Sequence, residues 1–172
     1  MHRLHLLRHA KSGRDDATDD RSRPLSRRGR DAARLIGESL PAALEGLDLV
    51  LCSSALRTRE TAALVLAGFA APPPILFEDV LYLAAPAALM RRLRRLDEAL
   101  GSVLVIGHNP GLHDLAVSLA ATDSPGYRAL AEGKFPTGAR ASFAVACSWT
   151  DLNRSRQTLD GYVTPKSLDA ED

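Results

Sequence analysis

The sequence predicts an α/β fold, a three-layer α/β/α sandwich around a mostly parallel central sheet. Three observations predict it. Short apolar runs at 4–7, 47–54 and 102–107 alternate with longer segments of helical periodicity. Each run is nearly unbroken, as expected of a strand covered on both faces rather than one. The segments between the runs are long enough for the helical crossovers that join parallel strands.

The elements follow in chain order. The first strand begins near Arg3 and runs through Leu7, where "LLRHAKS" carries it into Arg8 and His9. Residues 13–23, "GRDDATDDRSR", read as a polar loop. Ser26 suits a helix N-cap. After it Ala32, Ile36, Leu40 and Ala43 recur at helical spacing, and Pro41 is expected to end or kink that helix. "LDLVLCSS" at 47–54 is the second strand, followed by a helix with Ala63, Leu64 and Ala67 on one side. "AAPPP" at 70–74 is a turn or linker. Pro86 suits the first turn of a third helix, whose Leu89, Leu93, Leu96 and Leu100 form an apolar stripe. Arg91, Arg92, Arg94 and Arg95 fall on its other face and are read first as a solvated surface, with docking of an acidic partner as the lesser reading. "SVLVIG" at 102–107 is the third strand, "HNPG" turns the chain, and Leu112, Leu115 and Leu119 continue as a fourth helix. A Gly/Pro-punctuated stretch covers 123–138, and late strands are expected at 141–149 and 157–163. Residues 1–166 are read as a single domain and 167–172 as a frayed tail.

Composition removes several function classes. The chain has 172 residues, with 22 Lys and Arg against 21 Asp and Glu, and no basic stripe that would suggest nucleic acid. Cys52 and Cys147 lie in apolar segments and do not suggest a disulfide scaffold. No apolar stretch is long enough to span a bilayer and none resembles a signal peptide, so the cytoplasm is the expected location and a monomer the expected state.

The chemistry-bearing residues cluster by strand. The first strand ends in Arg8-His9, the second in "SSALRTRE" with Arg57 in the next helix's first turn, and the third in Gly107-His108-Asn109-Pro110. In a parallel sheet, ligands bind at the carboxyl ends of the strands. If the three strands are neighbours, two histidines and two arginines converge there, beside the helix N-terminus that Pro110 and Gly111 open. Guanidinium forks match phosphate oxygens, and two histidines add a nucleophile and a donor that a passive clamp does not need. Taken singly, His2 and His5 are read as structural and His113 as a helix-flank residue. A metal centre is not expected: His108 and His113 are five apart, no acidic motif accompanies them, and the arginines would repel a cation.

At these residues the sequence resembles the histidine phosphatase superfamily, in the segments "LLRHAKS" (6–12), "RPLSRRG" (23–29), "SSALRTRETA" (53–62), "LYLA" (81–84) and "VIGHNPG" (105–111). Short length and the RHAKS and GHNP variants point to its small SixA-type phosphohistidine phosphatase branch. The resemblance implies a phosphoglycerate mutase-like fold, no metal or organic cofactor, and removal of phosphate from a histidine on a partner protein, such as a histidine phosphotransfer domain or a phosphotransferase-system protein. Residue by residue it implies His9 as the nucleophile, Arg8 and Arg57 as holders of the phosphoryl oxygens, and His108 as a donor to them, with Ser12 and Asn109 as further phosphate contacts. Val80 falls where several relatives carry an acid, and Glu78 and Asp79 are the nearby carboxylates that could protonate a leaving group or simply be surface charges. The competing readings are a broader phosphomonoesterase on small esters, a sugar-phosphate mutase, which the short connections between motifs disfavour, and a non-catalytic phosphoprotein-binding module.

Overall fold

In the computed structural model, which describes residues 1–14 and 19–169, a six-stranded sheet has the order β3-β2-β4-β1-β5-β6. The strands are β1 (His2–Arg8), β2 (Leu49–Ser53), β3 (Ile75–Glu78), β4 (Ser102–Gly107), β5 (Arg140–Val145) and β6 (Thr158–Val163). β3, β2, β4 and β1 are mutually parallel, and only β5 runs against the rest. The helices are α1 (Arg27–Ala43), α2 (Leu56–Leu66), α3 (Pro86–Leu93), α4 (Gly111–Leu119), α5 (Tyr127–Glu132) and α6 (Pro165–Asp169).

Side-chain alternation along each strand feeds two separate cores. Leu7, Val50, Cys52, Leu104 and Ile106 face α1 and α2, where they meet Ala33, Ile36, Leu40, Ala62 and Val65. Leu4, Leu6, Leu49, Leu51, Val103 and Val105 face the other layer, packing with Leu89 and Leu93 of α3 and Leu112 and Leu115 of α4. Burial on both faces removes any polar alternation from these strands, which is why their sequences read as apolar runs. No helix among the described residues is long and apolar enough to cross a membrane.

Several elements differ from the sequence expectation. The strand β3 occupies residues 75–78, just after the expected turn at 70–74, where the sequence reading placed no element. As an edge strand it leaves Leu76 and Phe77 exposed and ends in Glu78, so no continuous apolar run announces it. On α2 the core face carries Arg57, Thr58, Thr61, Ala62, Val65 and Leu66, not Ala63, Leu64 and Ala67. Polar residues occupy the buried stripe near the site, so counting apolar residues placed the face one residue away. Ser26 does cap α1, its Oγ accepting the Gly29 N–H at 3.0 Å. Pro41 does not stop α1: it removes one N–H, and the ladder resumes with Leu44 N–H donating to Leu40 O at 2.8 Å. Of the expected α1 face, Ile36 and Leu40 are buried, Ala32 is half-buried and Ala43 is exposed. The strand expected over 141–149 ends at Val145, after which Ser148 caps a 3-10 turn that buries Trp149. The tail expected to fray from 167 begins within α6, and residues 170–172 lie outside the described residues, as do 15–18 of the expected loop.

The register positions the site. Arg8 of β1 pairs with Gly107 of β4, so His9 and His108 follow at adjacent strand ends. Cys52 of β2 pairs with Ile106 on the other side of β4, which brings Ser53 and the start of α2 to the same level. Two glycines allow the layers to close over these ends. A Cβ on Gly29 would lie 1.9 Å from Lys11 O, and one on Gly111 would lie 1.8 Å from Ala84 O. Only glycine permits such backbone approach.

Candidate active site

A cavity of about 360 Å³ opens at the carboxyl ends of β1, β2 and β4. Arg8, His9, Ser12, Arg57, His108 and Asn109 all line it, so the structure brings together the nucleophile and the phosphate contacts that the sequence suggested. Asp20, Arg23 and Leu83 also line it, with Lys11, Arg14 and Thr137.

A different contact sets the tautomer of each imidazole. His9 is 7% exposed, and its Nδ1 lies 2.6 Å from the Ala10 carbonyl oxygen. A carbonyl only accepts, so Nδ1 carries the proton and Nε2 keeps its lone pair. The backbone beneath His9 is fixed by Ala10 N–H donating to Thr61 Oγ at 3.0 Å, while Thr61 donates to Arg57 O at 2.7 Å. That buried pair of bonds ties the end of β1 to the first turn of α2. His108 is 3% exposed, with Nε2 2.7 Å from Ser53 Oγ. Ser53 Oγ accepts the Ala55 N–H at 3.4 Å, so its own hydrogen is available to His108 Nε2. With Ser53 donating that hydrogen to Nε2, the His108 proton stands on Nδ1, which has no partner among the described residues. The two rings stand 5.3 Å apart at 56°.

Both histidines are neutral in the resting site. Burial lowers the His9 pKa to about 4, with further lowering by Arg57, Arg8 and Arg23 against the opposing pull of the Ala10 carbonyl. Burial also lowers His108 to about 3, followed by His9 and Arg57, with Asp20 opposing. Burial outweighs the neighbouring guanidinium charges as the first cause in each case.

Arg57 is 2% exposed, an unusual state for a guanidinium. Its Nη1 donates to Asp20 O at 2.8 Å and its Nη2 to Asp20 Oδ2 at 3.1 Å, while Nε has no partner. Arg8 donates through Nη1 to Phe135 O at 3.2 Å, and its buried Nε is likewise unpartnered. One buried and one half-buried arginine, each with an unspent Nε donor among the described residues, line one cavity and form a receptor for an oxyanion. A carboxylate now stands against that receptor. Asp20 also accepts from Arg23 Nε at 3.0 Å and from the Tyr82 hydroxyl, whose ring edge rests on His108. Tyr82 first, then Arg57 and Arg23, hold the Asp20 carboxyl down at about 2 against the effect of burial, so it is ionised.

The remaining expected residues are placed less simply. Ser12 accepts from Arg23 Nη1 at 2.9 Å, which aligns that guanidinium with the rim. Asn109 donates through Nδ2 to Phe135 O at 2.9 Å, spending its amide on the loop that also receives Arg8. Neither Glu78 nor Asp79 lines the cavity. Glu78 makes a two-pronged pair with Arg92, and Asp79 joins Ser54 and Arg21 at the surface. The sequence reading missed Asp20, Arg23, Ser53, Thr61 and Tyr82. Arg23, Ser53, Thr61 and Tyr82 fall inside segments it had already singled out, so their placement there was the available signal; Asp20 sat unmarked in an acidic loop. His2 bonds Glu98 and stacks on Trp149, His5 bonds Ser142, and His113 bonds the Leu130 carbonyl, all away from the cavity.

Comparison with known proteins agrees with this geometry. The family model "Histidine phosphatase superfamily (branch 1)" matches residues 4–80. An uncharacterized protein of Mycobacterium tuberculosis, Rv1276c, is 37% identical over 163 residues, covering 93% of this chain and all of the relative. The chain belongs to the histidine phosphatase superfamily. Within it the structural likeness runs to SixA. A candidate phosphohistidine phosphatase SixA from Nakamurella multipartitia superposes with a TM-score of 0.83 at 28% identity, over 95% of this chain and 96% of that one. The protein histidine phosphatase SixA complexed with tungstate gives 0.78 at 26% identity, over 96% and 99%.

Proposed function

We propose that this chain is a phosphohistidine phosphatase acting on a partner protein through a transiently phosphorylated His9. The observation that carries the reading is the lone pair that the Nδ1 bond to Ala10 leaves on His9 Nε2, in one cavity with Arg8 and Arg57, whose Nε donors have no partner among the described residues. The arrangement meets the needs of in-line phosphoryl transfer: a neutral nucleophile, an oxyanion clamp, and a second imidazole with an N–H to give.

In the first half-reaction the His9 Nε2 lone pair forms a bond to phosphorus. The bond from phosphorus to the partner's imidazole nitrogen breaks, its electron pair returns to that ring, and the ring takes one proton from solvent so that it leaves as neutral imidazole. Charge spreads to the equatorial oxygens, where Arg8, Arg57 and His108 Nδ1–H stabilise it. In the second half-reaction water attacks phosphorus, the Nε2–phosphorus pair returns to His9, and the water's proton leaves to solvent. The chain's own residues supply each of these functions, and the likeness to SixA supports the same assignment.

Preference for phosphohistidine follows from the protonation state of the wall. Asp20 is the one carboxylate lining the cavity among the described residues, and it is ionised, so no carboxylic acid stands ready to protonate an alkoxide. An imidazole leaving group needs less help. The open approach suits a side chain on another protein, and we assign the activity to the cytoplasm and to a monomer. Comparison of kcat/KM on phosphohistidine and phosphoserine peptides of the same sequence tests the reading. A clear preference for phosphohistidine is expected. Equal or better use of phosphoserine would favour a general phosphomonoesterase instead.

A further inference from the structure

Among the described residues, every exposed large apolar side chain except Met1 lies between positions 56 and 83: Leu56, Leu76, Phe77, Val80 and Leu83. Leu76 and Phe77 lie on the β3 edge, on opposite faces of the sheet, and Val80 and Leu83 on the turn that follows it, while Leu56 opens α2. Val80 is 58% exposed and Leu83 53%. Such concentration differs from the scattered apolar exposure of an ordinary surface and marks a contact face. β3 is also an unpaired sheet edge, with Arg59 laid over Phe77 at 4.2 Å.

Beside this face lies a second cavity of about 520 Å³, lined by Val80, Ala88, Arg91, Arg92, Arg94 and Arg95. Two of the four arginines are occupied. Arg92 is locked to Glu78, and Arg94 donates through Nε to Thr150 O at 2.7 Å. Arg91 and Arg95 are exposed and have no carboxylate partner among the described residues. The whole chain carries a net charge of only +1, so this positive charge is local. The segment 79–83 separates the two cavities, with Val80 lining the arginine cavity and Leu83 the catalytic one. A protein whose phosphohistidine entered the catalytic cavity on this side would cross that apolar ridge and reach the arginines.

We infer that the β3 edge, the 79–83 ridge and the Arg91/Arg95 cavity form the docking surface for the phosphorylated partner, which presents apolar and acidic residues beside its phosphohistidine. This inference rests on the phosphohistidine reading above. Charge complementarity selects the partner: an acidic surface is drawn to the arginines, and a basic one is repelled. The arginines act on encounter rather than on the chemical step.

The test uses two synthetic peptides, each with one phosphohistidine, flanked by Glu and Leu in one and by Lys in the other. Free phosphohistidine serves as the small-substrate control. The full chain and the double variant Arg91→Glu/Arg95→Glu are compared at low and high salt. The expected result is that the wild type prefers the acidic peptide about tenfold at low salt, that the variant loses or reverses this preference, and that both treat free phosphohistidine alike. Circular dichroism checks that the exposed substitutions leave the fold intact. Equal preference in both proteins would overturn the docking surface while the phosphohistidine reading stands. No turnover of any phosphohistidine substrate by the wild type would overturn both. A dimer in the wild type that the variant dissolves would assign the face to self-association and overturn the proposal.

Discussion

Replacing Asp20 with asparagine removes a negative charge from the wall where the phosphoryl group is to bind. In the resting site that carboxylate is held by Arg57, Arg23 and Tyr82. It is an anion on an anion receptor, so an incoming phosphoryl group must share or displace it. Its side chain is 45% exposed, which calls for a water-like dielectric rather than an interior one. For a phosphoryl dianion roughly 6 Å away and an effective dielectric constant of about 80, Coulomb's law gives about 1.4 kcal/mol of repulsion. That energy corresponds to about tenfold in affinity. Asparagine keeps an oxygen for Arg57, so the guanidinium stays placed. Inhibition of the phosphatase by inorganic phosphate and by tungstate measures the effect. Asp20→Asn is expected to tighten both about tenfold at low salt and less at high salt, with kcat changed little. Unchanged or weaker inhibition would refute the view of Asp20 as a competing anion. A large fall in kcat at constant KM would show instead that the carboxylate handles a proton in the reaction.

Ser53→Ala removes the hydroxyl that fixes the His108 tautomer; at about 1 kcal/mol for a lost buried hydrogen bond, kcat/KM should fall roughly fivefold, with Ser53→Thr retaining more activity, and equal activity in all three would remove Ser53 from the account. Stability should fall in mild acid. His5, His9 and His108 have folded pKa values lowered to about 3, 4 and 3 from an unfolded value of 6.5, so below pH 6.5 the unfolded chain binds more protons than the folded one. The penalty is absent well above pH 6.5 and grows as pH drops, reaching about 2 kcal/mol per histidine by pH 5. Urea unfolding at pH 7 and pH 5 in phosphate-free buffer checks this, and equal stability at the two pH values would contradict it.

Much of the fold was legible because the central strands β1, β2 and β4 are buried on both faces, which writes their position as apolar runs. The same legibility extended to the site: Arg8, His9, Arg57 and His108 stand at the ends of those runs, and parallel pairing of neighbours forces strand ends together. What escaped the sequence is what depends on unlike neighbours meeting in space. Asp20 sits in a stretch of acidic residues that reads as solvated loop, and nothing local reveals that Arg57, 37 residues on, will hold it. Ser53 looks like the last residue of a strand until His108 arrives beside it. β3 was invisible because half its residues face solvent, and α2 was misfaced because its buried stripe carries Arg57, Thr58 and Thr61 in place of aliphatic residues. Glu78 and Asp79 drew notice by position in the motif, yet their partners Arg92, Ser54 and Arg21 turn both away from the chemistry.

The most direct measurement locates the phosphoryl group on the enzyme. The protein is labelled with phosphoramidate, quenched in alkali to preserve phosphohistidine, and read by 31P NMR, which separates the two ring isomers. With Nδ1 bound to the Ala10 carbonyl, a single phosphohistidine isomer on Nε2 of His9 is predicted, absent from His9→Asn. Label on Nδ1, label on His108, or turnover with no phosphohistidine at all would contradict it.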